Sequence, residues 1–130
     1  MERYIIVTTF CKEKNLAGKI CDDLLEKNLV AGCTVSKVSS KYWWNGKLEL
    51  ANEYKLEFRT IASFFETIKE EIEEIHDYEV PEISSVEMYD ANDSFIEWIN
   101  QYTSESYCES DQEEAEEQTS DYTEDDFGLL

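Results

Sequence analysis

Proline, glycine and histidine are scarce in this sequence. Its 130 residues include one proline, four glycines and one histidine, which excludes collagen-like and proline-rich low-complexity chains. Hydrophobic residues make up 42% and aromatic residues 13%, enough for a core, so a wholly disordered chain is also excluded. The apolar run from Tyr4 to Val7 is too short for a signal peptide or a membrane span. We therefore expect a cytoplasmic protein that does not enter a membrane.

Basic residues are absent from residue 70 onwards. All 11 lysines and arginines lie within residues 1–69, whereas 22 of the 31 acidic residues lie within residues 70–130. The formal net charge of −20 repels phosphate backbones, so nucleic-acid binding is not expected. Residues 104–130 hold 11 acidic and no basic residues and have little hydrophobic periodicity. The sequence predicts a folded domain over 1–103 and a disordered acidic tail over 104–130, a segment on which a protein partner could dock.

The four cysteines show no C-x-x-C spacing. They are Cys11, Cys21, Cys33 and Cys108. Zinc ribbons and thioredoxin-like sites are therefore not indicated. In a cytosolic chain we expect free thiols rather than disulfides.

Hydrophobic periodicity predicts four strands and three helices. A change of phase between Val35 and Val38 predicts a β-bulge in the second strand, and Asn45-Gly46 predicts a tight hairpin. The predicted strands cover 3–9, 30–42, 48–59 and 81–89, and the predicted helices cover 12–28, 61–75 and 93–102.

The order of these elements predicts an α+β fold. Two β-α-β units joined by a hairpin form the ferredoxin-like βαββαβ arrangement, here with an extra C-terminal helix. Right-handed crossovers place both long helices on one face of the sheet. The other face and the long hairpin would then expose apolar side chains, so we expect another subunit to cover one of them.

His76 lies where the second helix ends, in the segment 76–82, which reads HDYEVPE. An imidazole beside carboxylates can bind a transition metal or transfer protons. It can also simply interact with the C-terminal dipole of the helix. The residues alone leave these alternatives open.

Trp43 and Trp44 precede the predicted hairpin turn. Paired tryptophans at such a position indicate either the wall of a ligand site or an anchor between subunits, since tryptophan is favoured at interface centres.

Three ordered segments resemble the CutA family of divalent-cation tolerance proteins. Residues 42–49, YWWNGKLE, resemble the family's Y-x-W-x-G-K-[LIV]-E, and residues 76–83, HDYEVPEI, are similar to its H-P-Y-E-V-P-E-[IL]. Residues 29–33, LVAGC, look like its L-A-A-C stretch. The resemblance extends over about residues 3–103 and leaves out the tail.

The resemblance implies a homotrimer of ferredoxin-like subunits, PII-like in architecture, that binds divalent cations including copper and is not an enzyme. It assigns His76 and Glu82 as metal ligands. Thr8 occupies the position of the family's third ligand, a cysteine, and Cys11 lies three residues further on. A site without the thiolate should be weaker and less selective for copper.

The resemblance also suggests where subunits meet. We assign Tyr42, Trp43, Trp44 and Tyr78 to the trimer interface or to the cleft beside it. The resulting prediction is a cytoplasmic, divalent-cation (Cu²⁺) binding homotrimer associated with metal tolerance. The alternative is a trimeric scaffold or signalling module that binds a small ligand or a protein between its subunits.

Overall fold

The computed structural model describes residues 2–103, and the predicted tail and Cys108 lie outside the described residues. The strands are β1 (Tyr4–Cys11), β2 (Gly32–Trp44), β3 (Lys47–Ile61) and β4 (Ile83–Glu87), and the helices are α1 (Lys14–Glu26), α2 (Phe65–Ile75) and α3 (Asp93–Tyr102). A short 3₁₀ helix, Ala62–Phe64, leads into α2.

The four strands form one antiparallel sheet in the order β2-β3-β1-β4. Helix α1 connects β1 to β2, and α2 connects β3 to β4. This topology confirms the predicted α+β, ferredoxin-like fold. The two central strands are neighbours in space but distant in sequence, because each helical crossover skips one strand.

The core lies between the sheet and helices α1 and α2. Every second residue of β1 is buried, as strand geometry requires when only one face is covered by helices. Burial removes these apolar side chains from water and provides the main driving force for folding. The buried core residues include Ile5, Val7, Cys11, Ala17, Ile20, Leu24, Leu56, Phe58, Ile68 and Ile72.

The hairpin between β2 and β3 turns at Asn45 and Gly46, which have φ angles of 51° and 77°. Positive φ at both positions is the condition for the tight turn that the sequence predicted. Pairing then continues without interruption from Trp44 opposite Lys47 to Gly32 opposite Arg59. The predicted β-bulge is therefore wrong.

The change of phase in β2 has a different origin. Val35 lies opposite Leu56, on the face that the helices cover, and Val38 lies opposite Glu53, on the other face. Apolar side chains thus alternate between two partly covered faces of an unbroken strand.

Helix α3 covers one end of the face that α1 and α2 leave open. The ring of Trp98 lies directly over Gly32, where a Cβ atom would come within 2.7 Å of the ring. The Tyr4 hydroxyl donates a hydrogen bond to the Asn100 side chain at 2.9 Å. The open face is therefore partly covered by the chain itself.

Among residues 2–103, no helix has the length and hydrophobicity of a membrane span.

Candidate functional site

A cleft of about 710 Å³ lies on the open face of the sheet, at the end opposite α3. It is bounded by the hairpin arm, which we define as residues 40–51, and by the connecting segment, residues 77–82, which leads from α2 to β4. Its lining has five carboxylates but only two lysines. The carboxylates are Glu49, Glu53, Asp77, Glu79 and Glu82; the lysines are Lys12 and Lys41; the aromatic residues are Phe10, Tyr42, Trp43, Trp44 and Tyr78.

The structure brings the four predicted aromatic residues to this cleft. Tyr42 and Trp44 lie on the same face of the arm, because side chains two residues apart in a strand share a face. Trp43 is on the opposite face and is 71% exposed, whereas Trp44 is 37% exposed. Tyr42 and Trp44 therefore belong to the cleft face of the arm, whereas Trp43 contributes to the lining from the opposite face, which is largely exposed in the single chain.

Tyr78 is fixed in the cleft by the carboxylate of Glu53. Its hydroxyl donates a hydrogen bond to Glu53 Oε2, and Glu53 is only 6% exposed. Burial, together with the negative charge of Glu53, raises the pKa of Tyr78 well above its usual value. Tyr78 is therefore a protonated donor at neutral pH. The Lys12 ammonium lies 5.9 Å from the centre of the Tyr78 ring, within cation–π range.

His76 is buried behind this cleft and both of its ring nitrogens have partners. Its side chain has no exposed surface. Nδ1 accepts a hydrogen bond from the backbone N–H of Tyr78 at 3.1 Å, so the proton must be on Nε2, which donates to the Phe10 carbonyl at 2.7 Å. His76 thus ties the connecting segment to β1, and neither nitrogen is free for a metal in this arrangement.

Glu82, the second predicted metal ligand, is exposed at the edge of the cleft. It accepts a hydrogen bond from the Ser84 hydroxyl at 2.8 Å. This carboxylate is accessible to a cation, and its one hydrogen bond leaves further lone pairs available.

Neither Thr8 nor Cys11 provides a soft ligand. Thr8 lies opposite Glu57 and Ser84 on the open face and does not line the cleft. Cys11 is fully buried, and burial raises the pKa of its thiol to about 12. Its Sγ donates to the Glu13 carbonyl at 3.6 Å. Cys11 is therefore a neutral thiol at physiological pH, whereas metals bind the thiolate.

The donor set does not form a ready-made copper site. Within residues 2–103, no three histidine, cysteine, aspartate or glutamate side chains form a group that could hold a metal ion. What the cleft offers is a set of dispersed carboxylates, which can supply oxygen ligands to divalent cations but contain no thiolate that would select one metal strongly.

Glu53 and Lys12 were not predicted as site residues. Glu53 belongs to a strand with regular alternation, where an acidic residue is usually a solvated position. Its burial results from the connecting segment folding over it, a long-range contact without a local sequence signal. Lys12 likewise gains its significance only from its position above the Tyr78 ring.

Comparison with known proteins identifies the family. Residues 5–102 match the family described as CutA1 divalent ion tolerance protein. The chain is 34% identical over 100 residues to a cutA homologue of Encephalitozoon cuniculi, which covers 77% of this chain and 88% of the relative. It is 32% identical over 99 residues to the divalent-cation tolerance protein CutA of Thermococcus kodakarensis, with 76% and 94% covered.

Solved structures agree with this match. The periplasmic divalent cation tolerance protein CutA of Archaeoglobus fulgidus superposes with a TM-score of 0.76 at 26% identity, covering 78% of this chain and 99% of that one. Sequence and fold therefore agree over the same region, and the chain belongs to the CutA1 divalent ion tolerance family.

Proposed function

We propose that this protein is a homotrimer that binds divalent cations and contributes to metal tolerance as a binding protein rather than an enzyme. The observation that carries the proposal is the charge of the cleft, where five carboxylates face two lysines. Such a surface concentrates cations, since a concave wall of one charge focuses the field. The family names support a link to divalent cations.

The outer face of the hairpin arm supports the trimer. Trp43, Leu48 and Leu50 are 71%, 54% and 74% exposed. Trp43 and Leu48 lie directly opposite each other in the hairpin, and Leu50 lies on the same face. Adjacent exposed apolar residues of this size are typical of a surface that another subunit buries.

Glu82 is the cation ligand that we propose first, and His76 the second. Glu82 needs no rearrangement. His76 must give up its hydrogen bond to Phe10 or to Tyr78 before it can coordinate a metal, which costs free energy. Cu²⁺ remains the strongest candidate among the common divalent ions because it is the first-row metal that nitrogen and oxygen ligands bind most tightly.

Calorimetric titration with Cu²⁺ tests the site. We compare wild type with Glu82→Gln, with His76→Gln and with the control Glu74→Gln, which changes an exposed carboxylate outside the cleft. Glu82→Gln should weaken Cu²⁺ binding by about tenfold, which corresponds to ~1.4 kcal/mol. Equal binding by all four proteins would reject the site, and light scattering reports separately whether the trimer forms.

The alternative is a trimeric scaffold or signalling module that binds a small ligand or a protein between subunits. The closed hydrogen-bond arrangement of His76 favours it, because a resident metal ligand would keep one nitrogen free. Unchanged Cu²⁺ binding in Glu82→Gln and His76→Gln, with an intact trimer, would select this alternative.

Two further predictions concern the whole chain. We propose a cytoplasmic location, which fractionation of cells expressing the full chain tests.

We also propose that residues 104–130 dock a protein partner. Truncation after Thr103 tests this, since a partner that dissociates on truncation must contact the tail.

A further inference from the structure

Two free thiols meet between helix α1 and the sheet. Cys21 lies on the buried face of α1, between Ala17 and Leu24, and is 5% exposed. Cys33 lies at the start of β2, opposite the fully buried Phe58, so its side chain is on the same helix-covered side of the sheet. Both thiols are free, Cys33 packs against the core cluster that contains Cys21, and a hydrogen bond joins the two side chains.

We propose that Cys21 and Cys33 form a reversible disulfide when the protein meets a peroxide, so that a covalent bond fastens α1 to β2. This inference goes beyond cation binding, since it involves neither the cleft nor the hairpin arm. Cys33 precedes Trp43 by ten residues in the same strand, which places it roughly 33 Å away at the usual rise of a strand. It therefore lies outside the surface that we propose another subunit buries.

The two thiols differ in exposure, and this difference assigns their roles. Cys33 is partly exposed whereas Cys21 is buried, so a peroxide reaches Cys33 first. The hydrogen bond to Cys33, together with burial, raises the pKa of Cys21 far above its usual value. Cys21 therefore keeps its proton and donates it in the hydrogen bond, which stabilises a thiolate at Cys33 as it forms.

The oxidation proceeds in two steps, each of which releases one water. The Cys33 thiolate attacks one oxygen of hydrogen peroxide and the O–O bond breaks. Cys33 becomes a sulfenic acid, and the departing hydroxide takes up the proton that Cys33 lost. The Cys21 sulfur then attacks the Cys33 sulfur, and its proton leaves with the hydroxyl group as the second water. Two thiols are oxidised, one peroxide is reduced, and a dithiol reverses the bond by exchange.

A disulfide suits this position better than a metal ion held by the same two sulfurs. Thiolates and a metal would bring charge into the core cluster, which is costly, whereas a disulfide is uncharged. The sulfurs must close from a hydrogen bond to a covalent bond of about 2 Å. Strand β2 can follow this movement because it is an edge strand, paired with β3 on one side only within the described sheet.

Hydrogen peroxide is the probe, added to the folded full chain in the presence of a chelator that prevents oxidation by metals. The remaining thiols are then alkylated in denaturant, and mass spectrometry of the digested protein identifies the joined peptides. Of the four thiols, the wild type should lose two, with Cys21 joined to Cys33, and dithiothreitol should restore both. A bond between any other two cysteines, or oxidation of Cys33 without a bond, would overturn the proposal.

Four variants test the two roles. Cys11→Ala and Cys108→Ser are the matched controls, and each should still form the bond. In Cys21→Ala, Cys33 should stop at the sulfenic acid, which dimedone traps in a yield severalfold above that of the wild type. In Cys33→Ala, the buried Cys21 should resist peroxide. Circular dichroism verifies that the variants are folded.

The results for the variants are decisive in either direction. A folded Cys21→Ala protein that yields no more dimedone adduct than the wild type would contradict the role of Cys21. Rapid oxidation of Cys21 in Cys33→Ala would contradict the role of Cys33. The bond should form equally in Glu82→Gln, so a protein that forms it without binding Cu²⁺ would remove only the metal site.

Discussion

Strands β2 and β3 run through two regions with opposite surroundings. In the half covered by the helices, Leu56 and Phe58 are fully buried, whereas in the hairpin arm Leu48 and Leu50, on the same face of the same strand, are 54% and 74% exposed. The row of apolar side chains on this face of β3 therefore continues beyond the part of the strand that the helices cover. The comparison shows that the first region is stabilised within one chain, whereas the second has apolar surface available for a partner.

Truncation in the helix-covered region should produce the largest effect. Phe58→Ala removes a fully buried ring and should lower the free energy of unfolding by about 3–5 kcal/mol. Urea denaturation measures it. A loss below about 1 kcal/mol would show that the two regions do not differ as described.

Truncation in the arm should affect assembly instead. Trp43→Ala removes a side chain that is 71% exposed in the single chain. It should weaken subunit association by about 2 kcal/mol or more, while the circular dichroism of the protein stays unchanged. Light scattering over a dilution series measures association, and Lys47→Ala at the arm tip is the control. A Trp43→Ala protein that associates as tightly as the wild type would remove the role that we propose for the outer face.

Gly32→Ala tests how α3 covers the open face. The new methyl group would lie 2.7 Å from the Trp98 ring, and overpacking of this kind costs about 1–3 kcal/mol. The variant Trp98→Leu should accept alanine at position 32 with a smaller further loss. Additive losses in the double variant would contradict a direct contact.

An ion pair between the helices should contribute least. Lys27 pairs with Glu71 of α2 and with Asp23 of its own helix. The hydrogen bond from Lys27 lowers the pKa of Glu71 below its usual 4.5. Its stabilising effect is therefore present above pH 4.5 and is lost as the pH falls through the lowered value.

Asp23 partly offsets this effect, because burial raises its pKa. The stability that it contributes has the opposite pH dependence: it is present at low pH and is lost as the pH rises through the raised value. Lys27→Met should therefore lose only about 0–1 kcal/mol at pH 7. Urea denaturation of both proteins at pH 7 and pH 3 measures the difference, which should shrink at the lower pH. A difference that grows on acidification would contradict this assignment.

The sequence predicted the topology because each element has a local signal. The period of two in β3, the spacing of Ile68 and Ile72 in α2, and Asn45-Gly46 in the turn each reflect short-range geometry. The bulge was predicted wrongly because a phase change also arises when both faces of a strand are partly covered. Periodicity alone does not distinguish these cases.

The site was predicted only in part. The resemblance led to Tyr42, Trp43, Trp44, Tyr78 and Glu82, which all line the cleft. It also led to His76, but the hydrogen bonds to Phe10 and Tyr78 that occupy its ring depend on contacts between distant segments. Glu53 was missed for the same reason, since its burial depends on a residue 25 positions away.

The attachment of α3 fixes the position of the last described residues. The Tyr4 hydroxyl donates a hydrogen bond to the Asn100 side chain, and the Asn28 side chain donates one to the Tyr102 carbonyl at 3.1 Å. The last described residues therefore lie at the Tyr4 end of β1. Lys12, in the cleft, lies just past the other end, roughly 25 Å away at the usual rise of a strand. A fluorophore or affinity handle joined after Thr103 would therefore start far from both the cleft and the hairpin tip.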